Sequence, residues 1–262
     1  MPPLNPIDAA GLSLVQALSG RSEVFDWALR FLLTVDLAKL GVPVLCAVYA
    51  WLAEPAGVRP AQPAGVRPAQ PAGVSPAQPA GENPAARSRR VLGSLAGVIL
   101  TIAFGRFIQD SMPPRDRPRL TLPPEFFPQS AALPTLGEWS SFPSDHAVLA
   151  AALATAAWAF SRRLGLVAAL WAALVVCFPR LYFGFHYLTD LLAGAALGVG
   201  LTRLIMALPW PEAPLRGFAR LQRHAPALLS LAVFLIAYEF ITLFATTRRV
   251  LGAVKDVVHA LG

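Results

Sequence analysis

The chain has 262 residues, 55% of them hydrophobic and only 14% charged, with a mean hydropathy of +0.54, which excludes an ordinary soluble globular domain and points to a polytopic membrane protein. The formal net charge of +7 would favour nucleic acid in a soluble protein. Here most arginines stand in short segments between apolar runs, where the positive-inside bias accounts for them and no nucleic-acid partner is expected.

In chain order, the opening Met1-Pro2-Pro3-Leu4-Asn5-Pro6 lacks the basic, apolar and small-residue regions of a cleaved signal peptide, so none is expected. Residues 7–20 are mildly amphipathic and too short to span, and read as a helix lying at the interface. The first span is 27–53. It carries Asp36 and Lys39, an i,i+3 pair expected to neutralise itself or to snorkel to one surface. Between 55 and 81 the octapeptide Pro-Ala-Gly-Val-Arg-Pro-Ala-Gln recurs with small changes. Its prolines remove donors and nothing in it can be buried, so 55–90 reads as a disordered linker between an N-terminal unit (1–54) and a core (91–208).

Further spans are expected at 91–109, from 142 or 146 to 160, at 164–178, 187–208 and 225–246, with 209–262 forming a cytoplasmic loop, the last span and a tail. The fold class is therefore all-α, a bundle of about six transmembrane helices. The third and fourth spans fall short of the roughly 20 residues a crossing requires and are expected to borrow interfacial residues. Cys46 and Cys177 lie inside apolar segments without metal-ligand spacing and read as core packing. Arg203 and Glu239 read as snorkelling or interhelical groups.

Three polar clusters mark the ends of these spans: Arg115-Asp116-Arg117, Phe142-Pro143-Ser144-Asp145-His146, and Arg180 with His186 and Asp190. Counting crossings puts all three on one membrane face. The opposite loops carry Arg59, Arg67, Arg87, Arg89 and Arg90, then Arg162 and Arg163, then Arg216, Arg220 and Arg223, so that face is cytoplasmic and the clusters face outward. Arg248, Arg249 and Lys255 in the tail run against this count. His224 and His259 lie away from the clusters.

Phosphate-ester hydrolysis needs a nucleophile, an acid for the departing oxygen and cations for the equatorial oxygens. His186, oriented by Asp190 one turn away, fits the first role and His146 the second. Arg115 or Arg117 with Arg180 fit the third, and Ser144 at a helix N-terminus adds neutral donors.

Phe142-Pro143-Ser144-Asp145-His146 and Arg180-x5-His186-x3-Asp190 resemble the second and third signatures, PSGH and SRxxxxxHxxxD, of the type 2 phosphatidic acid phosphatase (PAP2) superfamily. The resemblance covers roughly 90–205. It implies a PAP2-like core in which His186 becomes a phosphohistidine, Asp190 orients it, and His146 protonates the leaving group, with no metal and no cofactor. Asp145 stands where the family has Gly and is grouped with the phosphate-binding residues; Pro179 stands in place of Ser. The first signature, KxxxxxxRP, is incomplete: Asp110 or Ile108 occupies the Lys position, and Arg106 is its candidate replacement.

The expected function is hydrolysis of a membrane lipid phosphate or diphosphate, such as an isoprenyl diphosphate or a phosphatidate-type lipid. The expected setting is a bacterial inner membrane, with the site facing the periplasm or exterior. The alternatives are lipid phosphotransfer through the same phosphohistidine, or a degenerate member that binds or transports phospholipid.

Overall fold

The computed structural model describes residues 4–52, 84–128 and 140–244. The octapeptide repeat and the tail residues Arg248, Arg249, Lys255 and His259 lie outside the described residues. Among those described there are helices and turns but no strand.

Helix α1 (Pro6–Leu18) begins at Asn5, whose side chain accepts the Asp8 N–H at 2.9 Å, a standard way to satisfy a first-turn amide. Helices α2 (Glu23–Thr34) and α3 (Asp36–Leu52) meet at a 64° bend. Lys39 bridges back to Asp36 at 2.6 Å in the first turn of α3, the self-neutralising pair expected. After α4 (Pro84–Ser111) come a short α5 (Pro118–Thr121) and then α6 (Asp145–Trp158). Helix α7 (Arg162–Trp171) runs through a π-helical turn (Ala172–Cys177) into α8 (Phe178–Tyr182). The described residues end with α9 (Leu188–Ala207), α10 (Glu212–His224) and α11 (Pro226–Ile241).

Three of these stretches are long and apolar enough to cross a membrane, Ala86–Ser111, Arg162–Tyr182 and Leu188–Ala207, and the bent pairs α2/α3 and α10/α11 raise the number to five. The difference from six lies in α6. Its 14 residues rise about 21 Å against a hydrocarbon core of about 30 Å, and Ala147 through Ala157 are all buried. It is the hub of the bundle, packed by α9, α4, α7 and α3, so protein rather than lipid surrounds it. The fourth span is longer than the sequence implied because the helix continues past Pro179. The π turn before that proline accommodates its missing N–H.

Close approach of α6 and α9 depends on glycine. A Cβ at Gly194 would stand 2.7 Å from the Ser144 carbonyl oxygen, and one at Gly198 2.5 Å from that of Val148, so the small-residue face of α9 lets the backbones touch. Trp51 donates to Ser94 Oγ at 2.8 Å, and Thr101 pairs with Thr202 at 3.1 Å, linking α3 to α4 and α4 to α9. At the far end from the polar clusters, three arginines of α4 reach carbonyls at helix ends: Arg87 to Trp51 (3.2 Å), Arg89 to Leu208 (3.2 Å) and Arg90 to Ala159 (3.3 Å). Guanidinium donors there satisfy C-terminal carbonyls and oppose the negative end of each helix dipole. Cys46 and Cys177 are both free thiols.

Candidate active site

At the opposite end, the connection between α8 and α9 is a turn held by backbone hydrogen bonds of its own and from α5. Phe185 N–H donates to the Arg180 carbonyl at 2.8 Å, and Arg119 N–H to that of Gly184 at 3.0 Å. Gly184 has φ +69°, and a Cβ there would lie 2.6 Å from the Phe127 ring, so both conformation and space demand glycine. The turn delivers His186 just before Tyr187, the N-cap of α9. Asp190, the third helical residue, reaches back to accept the Tyr187 N–H at 2.8 Å, a capping-box contact.

His186 is 3% exposed. Its Nδ1 lies 2.9 Å from the Ser141 carbonyl oxygen, which can only accept, so Nδ1 carries the proton and Nε2 presents its lone pair. Burial, and next the Arg117 charge, push the imidazole down to about 3, with Asp145 opposing and Arg180 adding to the depression. The ring is thus neutral across the physiological range. Arg117 Nη1 stands 3.5 Å from Nε2 and donates to the Phe185 carbonyl at 3.0 Å.

The sequence spacing predicted that Asp190 would accept the imidazole proton itself. The two groups are 3.8 Å apart, too far for a hydrogen bond. The carboxylate acts one residue removed: Ser141 Oγ donates to Asp190 Oδ2 at 2.5 Å while the Ser141 carbonyl holds His186. The other oxygen, Asp190 Oδ1, accepts from Arg115 Nη1 at 2.5 Å. Ser141, fully buried, is absent from the sequence reading, and its only signal there is a polar Ser140-Ser141 pair just before the second cluster.

His146 is oriented by its neighbour. Asp145 Oδ1 accepts both His146 Nδ1–H (2.8 Å) and the His146 backbone N–H (2.7 Å). Asp145 Oδ2 lies 3.5 Å from Arg106 Nη1, which also donates to Gln109 at 2.7 Å. Asp145 was expected among the phosphate-binding residues. A carboxylate repels a phosphate oxygen, and its observed partners make it the holder of His146 instead.

Arg115, also expected to bind phosphate, is engaged by two carboxylates: Asp190, and Asp8 of α1 at 2.6 Å. Its guanidinium lies over the Tyr187 ring, 4.2 Å from the centroid, a cation–π geometry. Arg180 is buried and donates to the Val176 carbonyl at 2.8 Å, within the π turn. Among the described residues two buried side-chain polar atoms lack any partner, Arg117 Nε and Ser144 Oγ, and both belong to this cluster. Ser144 caps α6 by position but not by its hydroxyl, and its N–H donates to the Asp190 carbonyl at 3.2 Å.

An apolar cavity of about 560 Å³ opens along α6 and α9, lined by Ala147, the residue after His146, but by neither histidine. It begins at Ala147 and Leu188, passes Ala151 and Leu192, and extends to Arg203, some 22 Å along α9 at 1.5 Å per residue. Among the described residues no group of three His, Cys, Asp or Glu side chains is arranged to hold a metal ion.

The family model of the PAP2 superfamily matches residues 90–213. No curated protein and no solved structure matches the chain.

Proposed function

We propose, from the membership of residues 90–213 in the PAP2 superfamily, whose members are generally phosphatases, that this membrane protein hydrolyses a lipid phosphate or diphosphate through a phosphohistidine at His186. The observation that carries the reading is the pair of unpartnered buried donors, Arg117 Nε and Ser144 Oγ. The large majority of buried polar atoms in native proteins have a partner; these two have none among the described residues, and Arg117 stands 3.5 Å from the neutral His186 imidazole through Nη1. An anionic tetrahedral group supplies the acceptors they lack.

In this mechanism His186 Nε2 attacks phosphorus. His146, with its Nδ1–H held by Asp145, is neutral in the free protein, burial and then the Arg180 charge lowering it to about 4. It takes a proton at Nε2 from the incoming monoprotonated phosphate and, as the N–P bond forms and the P–O bond breaks, gives that proton to the departing oxygen. Arg117 and Arg180 stabilise the equatorial oxygens, with Ser144 as a neutral donor. Neutral His146 then takes a proton from water as the water oxygen attacks phosphorus. The N–P bond breaks, and phosphate leaves with His186 restored.

A lipid substrate is supported by the apolar cavity, whose lining from Ala147, the residue after His146, to Arg203 suits a hydrocarbon chain. An outward-facing site in a bacterial inner membrane is supported by the arginines Arg87, Arg89 and Arg90 at the other end of the bundle, the side expected to be cytoplasmic.

The test is phosphate release by purified protein in detergent, over isoprenyl diphosphate, phosphatidate and a water-soluble phosphate ester, with acid-labile, base-stable phosphate trapped at His186 after quenching. Release from the lipids and trapping at His186 support the reading. Absence of release from every lipid overturns it, and label passed to a lipid hydroxyl would make the enzyme a phosphotransferase.

A further inference from the structure

Helix α1 buries Asp8, Gly11, Leu12 and Val15, the i, i+3, i+4, i+7 stripe of an amphipathic helix, with a carboxylate where the stripe calls for an apolar side chain. Leu12 and Val15 pack in one cluster with Leu181, Tyr182 and Leu191, which seats α1 on α8 and α9. A buried acid in such a stripe needs partners, and Asp8, 1% exposed, has several. Oδ2 accepts from Arg115 Nη2 and from Asn5 Nδ2, both at 2.6 Å, and Oδ1 accepts the Thr189 N–H and hydroxyl, both at 2.9 Å. Burial raises its pKa, but the hydrogen bonds from Thr189, Arg115 and Asn5 outweigh this and keep it below the usual carboxylate range, so it is ionised.

From Asp8 the contacts run without a gap to the nucleophile. Arg115 bridges Asp8 and Asp190 at 2.6 and 2.5 Å. Asp190 takes the Ser141 hydroxyl at 2.5 Å, and the Ser141 carbonyl takes His186 Nδ1–H at 2.9 Å. Ser141 is held a second time by Arg115, whose carbonyl accepts its N–H at 2.8 Å. We propose that Asp8 is a positioning residue for His186, acting through Arg115, Asp190 and Ser141, and that α1 is therefore a working part of the catalytic site although it lies outside the matched region. The physical basis is competition for one guanidinium. With Asp8 in place, Arg115 is stretched between two carboxylates and presents one nitrogen to Asp190. Without the Asp8 charge it can swing to embrace Asp190 with both nitrogens, which pulls on Ser141 and turns the imidazole.

The inference rests on the phosphatase reading, and the experiment separates the two. Asp8→Asn, Arg115→Gln, the double variant and Asp8→Glu are compared with the wild type in detergent, by kcat and KM on the lipid substrate and by the imidazole nitrogen resonances of ¹⁵N-histidine-labelled protein. Asp8→Asn is expected to lower kcat roughly 10- to 100-fold, the scale of a sub-ångström misplacement of a reacting group, with KM within about twofold. The double variant should be no slower than Arg115→Gln, and Asp8→Glu should recover part of the loss. The His186 resonances should move in Asp8→Asn while those of the exposed His224 stay in place, and retention of the distinct resonances of the largely buried His146 reports that the variant is folded. Wild-type kcat in Asp8→Asn, effects that multiply in the double variant, or unmoved His186 resonances would each overturn the inference. Should the wild type release no phosphate at all, the phosphatase reading fails, while the histidine spectra still decide whether Asp8 positions His186.

Discussion

Replacing Arg117 with alanine removes three things at once: the donor to the Phe185 carbonyl, the charge 3.5 Å from His186 Nε2, and the unpartnered Nε. A charge-assisted donor aimed at a developing oxyanion contributes about 2.7–4 kcal/mol, so kcat/KM should fall about 10²- to 10³-fold at 1.36 kcal/mol per decade. A second effect has a definite sign. Arg117 is the main charge depressing the His186 imidazole, which stands at about 3. Its removal favours the imidazolium, so the folded-state pKa rises and the acid limb of phosphoenzyme formation moves toward neutral pH. Rapid-quench measurement of phosphohistidine against pH, normalised to inserted protein, reads both effects. Arg106→Ala is the internal comparison: it loses contacts to Gln109 and Asp145 and should cost less. Wild-type turnover in Arg117→Ala, or an acid limb that moves to lower pH, would refute the assignment of Arg117 to the transferring phosphoryl group.

His186→Ala should abolish both turnover and trapped phosphate, whereas Asp190→Asn should leave a slow enzyme, because an amide cannot accept from Arg115, Ser141 and Tyr187 together; full activity in His186→Ala rules the mechanism out. Ser141→Ala should lower kcat about tenfold through loss of a hydrogen bond to a charged group, about 1.5–3 kcal/mol at most, with the backbone contact to His186 retained; an unaffected kcat would mean that Asp190 does not act through Ser141. Activity should persist in excess chelator, since Arg117, Arg180 and Ser144 supply the charge stabilisation proposed. Loss of activity restored by one divalent ion would refute that. Deleting 55–81 should leave turnover nearly intact, because the flanking helix ends already meet where Arg87 donates to the Trp51 carbonyl, at the end of the bundle remote from His186. A well-inserted but inactive deletion variant would count against this.

Apolar runs separated by polar clusters make the helical bundle and its polar end legible in the sequence, because burial in lipid forces backbone pairing within each segment. The span count was less legible. A run of alanines reads the same whether it faces lipid or protein, and only the packing of α9, α4, α7 and α3 around α6 tells which. His186 and Asp190 lie 3.8 Å apart, and the contact between them differs from the one their spacing suggested for a geometric reason. The i,i+4 rule holds when both residues are helical, and α9 starts at Leu188, so His186 stands in the turn before it. Asp190 therefore folds back on the helix start, and the Ser141 carbonyl, from a different segment, accepts the imidazole Nδ1–H.

The same limit governs the arginines. Arg115 and Arg117 are two residues apart in one loop, and spacing alone gives each an equal claim on phosphate. What distinguishes them is Asp8, 107 positions away from Arg115, on a helix whose register against the core no local pattern specifies. With Asp8 and Asp190 both on Arg115, its charge is already balanced by two carboxylates, so a phosphate would have to displace one of them. Among the described residues Arg117 has carbonyl and imidazole hydrogen-bond partners, feels Asp145 and Asp190 through charge alone, and keeps an unpartnered Nε. On the mechanism proposed here the cations that meet the substrate, Arg117 and Arg180, are those that no carboxylate among the described residues holds by a hydrogen bond, and Arg115 acts on the reaction through the carboxylates it holds.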